Sequence, residues 1–339
     1  MRGINRSTLA AMIMAASLIS LHCGKKSAGE VTIYVSEDQV FAEPVLKDFE
    51  RETGIRVKAV FDTEESKSTG AMNRLIAEKD NPQADVYWAN EPIRAEVLKQ
   101  RGISTPYVSP LAQDIPAKFK DPEGYWTGFS ARVRVLVVNT TLTDKPRSVL
   151  SYTNPKWKGK GVLANPLFGT TTAQTAALFA LWGNDRAKVF MEEIRKNNVR
   201  LSTSNGESAD FVASGQSGFS LVDSDDGVNR IRQGKSIEMI YPDQGEGEIG
   251  CMVIPNAVVL IKNAPQLENA KKLVDYLLSK ETERKLAFAD CAQIPLHPGV
   301  ATPVDVRHMN ELKTMSVDYA QVARKVEEIQ PFLKNWVGY

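Results

Sequence analysis

Short β-branched runs alternate with segments of helical period from Val31 to Gly102, and the spacing between the runs is the strongest constraint on the fold. Val31-Thr-Ile-Tyr34 is followed by Phe41, Val45, Leu46 and Phe49, four apolar residues on one helical face, and Gly54 stops that helix. Ile55 to Phe61 predicts the next strand, Met72 to Glu78 a helix, Ala84 to Trp88 a strand, and Ile93 to Arg101 a helix closed by Gly102. A tight turn joins only antiparallel strands, whereas a connection that holds a helix lets the chain cross over and re-enter parallel. The expectation is an α/β fold whose sheets are mixed but mostly parallel and flanked by helices. Ligands of such sheets sit beyond the carboxyl ends of the strands, here Ser36-Glu37-Asp38 and Ala89-Asn90-Glu91.

With 339 residues the chain is too long for one compact core, so two lobes are expected. Val133 to Asn139 reads as a strong strand and as the crossing into the second lobe. That lobe takes a strand at Gly161 to Asn165, helices at Thr171 to Leu181 and Val189 to Lys196, and a strand at Phe219 to Val222. Met252 to Ile261 carries the chain back, before helices at Leu267 to Leu278 and Thr282 to Phe288 and an amphipathic helix from Asn310 to Asn335. The first lobe would hold residues 31–132 and 256–339, the second 133–255. Two crossings suit lobes that close about a hinge.

Export is read from the N-terminus. Arg2 and Arg6 precede an uncharged stretch from Thr8 to His22, too short for a comfortable membrane span but of secretory-signal length. Cys23 ends it, and residues 23–30 form a polar tether. Residues 1–22 thus resemble the signal of a bacterial lipoprotein, with Cys23 as the lipidated residue, although Ser20-Leu21-His22 departs from the usual triplet before such a cysteine. A short uncleaved anchor is the alternative, and either one places the domain outside the cytoplasm. Lys and Arg total 42 against 41 for Asp and Glu, a balance that gives no global footprint for nucleic acid, so charge selectivity has to be local. Cys251 and Cys291 stand apart, with neither framework nor metal-site spacing, and could form a disulfide or remain buried thiols.

Several segments resemble the periplasmic ferric-iron-binding proteins: Val31-Thr-Ile-Tyr-Val-Ser, Phe49-Glu-Arg-Glu-Thr-Gly-Ile-Arg-Val, Ala84-Asp-Val-Tyr-Trp, Trp126-Thr-Gly-Phe-Ser-Ala-Arg-Val-Arg-Val, Lys156-Trp-Lys-Gly-Lys-Gly and Ala270-Lys-Lys-Leu-Val-Asp-Tyr-Leu-Leu-Ser. The resemblance implies a two-lobed, type II (Venus-flytrap) binding protein of an ABC importer. It would be a periplasmic monomer tethered by its lipid, working with permease and ATPase subunits and carrying no prosthetic group. Thiamine- and aminoalkylphosphonate-binding receptors are similar to the same group, so the fold leaves the ligand open. Where the family carries two adjacent iron-binding tyrosines, this chain has Asp225 and Asp226, with Asp223 just before them. Asp38 replaces the family histidine, Glu91 matches its glutamate, and Arg132 matches an arginine near the bound anion.

The candidate ligand residues fall into two groups. Glu37, Asp38, Glu91, Asp223, Asp225 and Asp226 suit a hard metal ion or an ammonium group, with Glu91, Asp225 and Asp226 as metal ligands. Glu37, Asp38, Asp225 and Asp226 could instead cap helices. Gly169-Thr170-Thr171-Thr172 opens a helix whose N–H groups suit carbonate, carboxylate or phosphonate, and Arg132 would assist; a plain threonine cap is the alternative. Together they point to a metal ion with a synergistic anion, which the resemblance implies to be ferric iron, or to an organic zwitterion such as an aminoalkylphosphonate or a thiamine-type ligand. Tyr125 and Trp126 could cover a cation, whereas Tyr87 and Trp88 read as core, and His297 and His308 as surface residues. Gly227 to Ser236 lacks the P-loop glycine spacing, and Asp223 to Gly227 misplaces the glycine of an EF-hand. No nucleophile elbow or His-Glu-x-x-His is present, which leaves a metal-assisted hydrolase as the enzymatic alternative. A sensory receptor would use the same fold. If Cys23 carries the anchor, Cys23→Ser moves the mature protein from the membrane fraction to the soluble extracytoplasmic fraction; unchanged membrane retention would reject lipidation.

Overall fold

A computed structural model describes residues 29–62 and 69–338. The signal, Cys23 and most of the tether lie outside the described residues. The chain runs β1 (Glu30–Val35), α1 (Gln39–Thr53), β2 (Arg56–Phe61), α2 (Thr69–Ala77), β3 (Val86–Ala89), α3 (Pro92–Gln100), then β4 (Thr127–Asn139), β5 (Gly161–Ala164), α4 (Gly169–Trp182), α5 (Asn184–Lys196), β6 (Arg200–Ser202) and α6 (Asn205–Ala213). It continues through β7 (Phe219–Asp223), α7 (Ser224–Arg232), β8 (Ile237–Ile240), β9 (Val253–Leu260), α8 (Leu267–Leu277), α9 (Lys280–Phe288) and α10 (Tyr319–Val337). Gly54 caps α1 in the left-handed region at φ 73°, as its place after the last apolar residue predicts.

The strands follow the order β2-β1-β3-β9-β4-β7-β5-β6, with β8 also on β4. Pairing is parallel around β1 and β5, where helices make the crossovers, and antiparallel around β4 and β9. All thirteen residues of β4 are buried, and the strand serves two sheets in turn. Thr127 to Val133 pair with β9 in the first sheet, and Arg134 to Asn139 pair with β7 and β8 in the second. The chain returns at Met252, whose carbonyl accepts the Arg134 N–H at 2.9 Å.

Just before the handover, β4 carries a bulge between Phe129 and Ala131, with Ser130 at φ 39°. Glu283 of α9, wholly buried, holds it in place. Its carboxylate accepts the N–H groups of Ser130 at 2.7 Å, Leu296 at 2.9 Å and His297 at 2.8 Å. His297 is buried rather than on the surface, its ring between Asp114 and the Leu278 carbonyl.

The final helix starts nine residues later than the periodicity of Asn310 to Asn335 suggests, because the preceding residues have other partners. Lys313 and Met315 exchange backbone hydrogen bonds with Cys251, and Asp318 caps α10 through the Gln321 N–H at 3.1 Å. Expected with the first lobe, α10 packs against both α3 and α4. Phe332 meets Phe179, and Trp336 donates to the Met191 carbonyl at 3.0 Å. Cys251 and Cys291 are buried free thiols. No described helix is long and apolar enough to cross a membrane. Glu283→Ala leaves three buried N–H groups unsatisfied and should lower unfolding free energy by at least about 3 kcal/mol in urea titration; a loss below about 1 kcal/mol would show the bulge needs no clamp.

Candidate functional site

Four strand-to-helix junctions bring charge together beside the β4 handover. Glu37 and Asp38 follow β1, Glu91 precedes α3, the three threonines open α4, and Asp223 to Asp226 join β7 to α7. Neither Asp38, Glu91 nor Asp223 makes a side-chain capping bond, so helix capping does not account for them. Ser224 Oγ accepts the Val133 N–H at 3.2 Å, fastening the start of α7 to β4.

Arg132 stands at the centre. It donates to the Asn90 carbonyl, and the carboxylates of Glu37, Asp225, Asp223 and Asp38 hold its charge in place against the cost of burial. Residues from both sheets therefore face one guanidinium, and its Nε has no hydrogen-bond partner among the described residues. Glu91 is 3% exposed; its Oε1 lies 3.3 Å from Arg94 Nε, while its Oε2 makes no hydrogen bond. The Glu91–Arg94 approach is an ion pair by distance, but its angle falls short of a hydrogen bond. Burial pushes the Glu91 carboxyl up against the pull of Arg94 and Arg132.

Asp225 and Asp226 are half-buried and keep some solvent contact. Burial first, then repulsion from Asp226, raises Asp225 well above the usual carboxylate range. Burial and Asp223 raise Asp226 to about 6, despite Arg230 at 3.3 Å. Asp223 goes the other way: burial opposes its charge, but Arg134 and Arg132 outweigh burial and hold it low. Oxygens of Asp223, Asp225 and Asp226 lie within 4.8 Å of one another, close enough for one metal ion.

The threonine group is largely engaged within the protein. Thr170 Oγ1 donates to Asp223 at 2.8 Å and accepts from Asn205 at 2.8 Å, and Thr171 Oγ1 donates to Asn205 at 3.2 Å. Thr172 Oγ1 is buried without a hydrogen-bond partner among the described residues, and Gly169 is exposed at φ 57°. Neither aromatic proposed to cover a cation is free to do so: Trp126 donates to Glu96 at 2.7 Å, and Lys99 lies over the Tyr125 ring. Tyr87 and Trp88 are core, with Trp88 bonded to Asn256 at 3.1 Å.

Sequence reasoning missed Arg94, Arg134, Asn205 and Arg230. Arg134 was discoverable, since two arginines spaced by two in an apolar strand share one face. Arg94 and Arg230 also carried a signal, lying three and four residues after Glu91 and Asp226.

The raised carboxyls set a pH dependence. Their folded pKa values exceed the unfolded ones, so the folded protein binds protons more readily and gains stability as pH falls through the raised values. Carboxylates held low, such as Asp48, Asp114 and Asp223, weaken the fold only below the ordinary carboxylate range. The ligand-free protein should therefore melt higher at pH 5.5 than at pH 7.5, and Asp225→Asn with Asp226→Asn should reduce that gain. An equal gain in the double variant would place the titrating groups elsewhere.

The family model for bacterial extracellular solute-binding proteins matches residues 84–321. Iron uptake protein A1 of Synechocystis is 25% identical, over 80% of this chain and 79% of that protein. A Salmonella typhimurium protein named for periplasmic 2-aminoethylphosphonate binding is 24% identical, over 85% of this chain and 80% of its own length. The fold superposes on a ferric binding protein from Campylobacter jejuni with TM-score 0.81 at 20% identity, covering 91% of this chain and 99% of that one. The two-sheet α/β architecture is thus that of the periplasmic binding proteins, and by a match spanning most of its length the chain belongs to the bacterial extracellular solute-binding proteins.

Proposed function

We propose that the cleft binds a hard metal cation, ferric iron or one of similar charge, together with a small anion. The coarser role is fixed by family: the chain is the non-enzymatic solute-binding protein of an ABC importer. The observation that carries the ligand class is charge balance. Six carboxylates, Glu37, Asp38, Glu91, Asp223, Asp225 and Asp226, share the cleft region with four guanidiniums, Arg94, Arg132, Arg134 and Arg230. With all ionised, two negative charges remain uncompensated among these groups, and a cation relieves them. Oxygen ligands select hard ions over soft ones, and Glu91, Asp225 and Asp226 are the first candidates to hold the ion. Iron uptake protein A1 and the ferric binding protein are consistent relatives.

Ligand would first meet one lobe, residues 31–132 with 256–339, through Glu37, Asp38 or Glu91. The other lobe, residues 133–255, then closes about β4 and brings Asp225, Asp226 and the α4 threonines across. Preferential affinity for the closed form drives the shift. In this reading the protein is exported, held to a membrane through Cys23, and read by its permease in the closed form.

A zwitterion such as an aminoalkylphosphonate is the second reading. It is favoured by Arg94 Nε, Arg132 Nε and Thr172 Oγ1, three buried groups that make no hydrogen bond among the described residues and are able to donate to an anion. Its near-neutral charge leaves the acidic excess standing, which is why the metal is preferred.

Ferric citrate with bicarbonate, at a hundredfold excess over its dissociation constant, should stabilise the protein by about 2.7 kcal/mol in a thermal shift. Asp225→Ala with Asp226→Ala should abolish that shift. The complex should also lack a visible phenolate-to-iron band, because aspartates stand where the family tyrosines would be. Stabilisation by 2-aminoethylphosphonate alone, or a strong visible band with iron, would overturn this assignment.

A further inference from the structure

Arg134 is completely buried at the point where β4 leaves the first sheet. Its Nη1 donates to Asp223 Oδ1 at 2.8 Å and to Thr170 at 3.0 Å; its Nη2 donates to the Leu221 carbonyl at 3.0 Å and to Thr171 at 3.3 Å. The other oxygen of Asp223 accepts from Thr170 at 2.8 Å and from Asn205 at 3.3 Å. Each Asp223 oxygen therefore already has a donor. Among the described residues Asp225 and Asp226 lack any such guanidinium fork: Asp225 Oδ1 accepts the adjacent Asp226 N–H at 3.0 Å, and Asp226 meets Arg230 at 3.3 Å.

We propose that Arg134 is a positioning residue for ligand binding, which withholds Asp223 from the ligand and leaves Asp225 and Asp226 as the carboxylates presented by the second sheet. The inference rests on the metal reading above and decides which carboxylates serve it. Proximity alone would let one ion touch all three aspartates. Ligation by Asp223, however, would set a metal ion against the guanidinium of Arg134, which has no other ion pair among the described residues. The same fork joins the first turn of α4 to the last residue of β7, so it also fixes where α7 begins and where its two aspartates stand.

The test measures melting temperature without ligand and affinity for ferric citrate with bicarbonate, in the wild type and four variants of the mature chain. Asp225→Asn should weaken binding at least about a hundredfold, and Asp223→Asn, which keeps the shape of the network, about tenfold. Arg134→Met strands a buried carboxylate and should lower the melting temperature by about 6 °C. Arg134→Met combined with Asp223→Asn removes both charges, so it should recover most of that loss and bind within about tenfold of Asp223→Asn alone. A merely structural pair would leave Asp223→Asn and the folded double variant binding as tightly as the wild type, which would overturn the positioning role. If Asp223→Asn costs as much as Asp225→Asn, or if the folded double variant fails to bind, Asp223 is a ligand and the assignment is overturned. Failure of the wild type itself to bind ferric citrate would instead overturn the metal reading, and this role with it.

Discussion

A guanidinium with no access to water sits in the middle of β4, and the second sheet is arranged around satisfying it. Taking such a charge out of water costs several kcal/mol unless a counter-charge and further acceptors surround it. Asp223, Thr170, Thr171 and the Leu221 carbonyl do this, and each comes from an element that must then keep its place: the end of β7, the start of α4 and the body of β7. Arg132, two residues earlier on the same face, does the corresponding work toward the first sheet by reaching Asn90. One strand thus carries the two charges that organise both sides of the cleft.

Much of the fold was legible because burial is periodic. β1, α1, β3, α3, α8 and α9 lie close to where apolar spacing and glycine stops put them. The shorter elements β6, α6 and β8 were missed: β6 is largely exposed and α6 buries only three residues, so neither stands out from its surroundings. The start of α10 was misjudged for another reason. Residues 313–315 satisfy helical periodicity as well as neighbouring segments do, but pairing with Cys251 claims their backbone first. Local pattern cannot register a partner some sixty residues away.

At the candidate site, residue type and position along strand ends singled out Glu37, Glu91 and the aspartates, which the fold brings near Arg132 and one another. The family resemblance marked the departure from tyrosine. What the sequence did not disclose was allegiance. Asp223 and Asp225 are two residues apart and chemically alike, yet one is drawn down by arginine and the other is driven up by burial and a like charge. That difference arises from Arg134, Arg132 and Thr170, which bear on Asp223 from other elements. Thr170 and Thr172 show the same division, one saturated within the network and the other buried without a partner.

The last helix gives the molecule a mechanical character. Because α10 packs against both α3 and α4, the proposed rotation about β4 would shear at least one of these contacts. Interlocked side chains such as Phe332 on Phe179 resist partial sliding and settle again only when the ridges of one helix find the next grooves of its neighbour. If the lobes close about β4 as proposed, motion across such a seam would proceed by detents rather than by continuous travel. The receptor would then offer its importer two discrete shapes, with few half-closed forms between them to be mistaken for a loaded one.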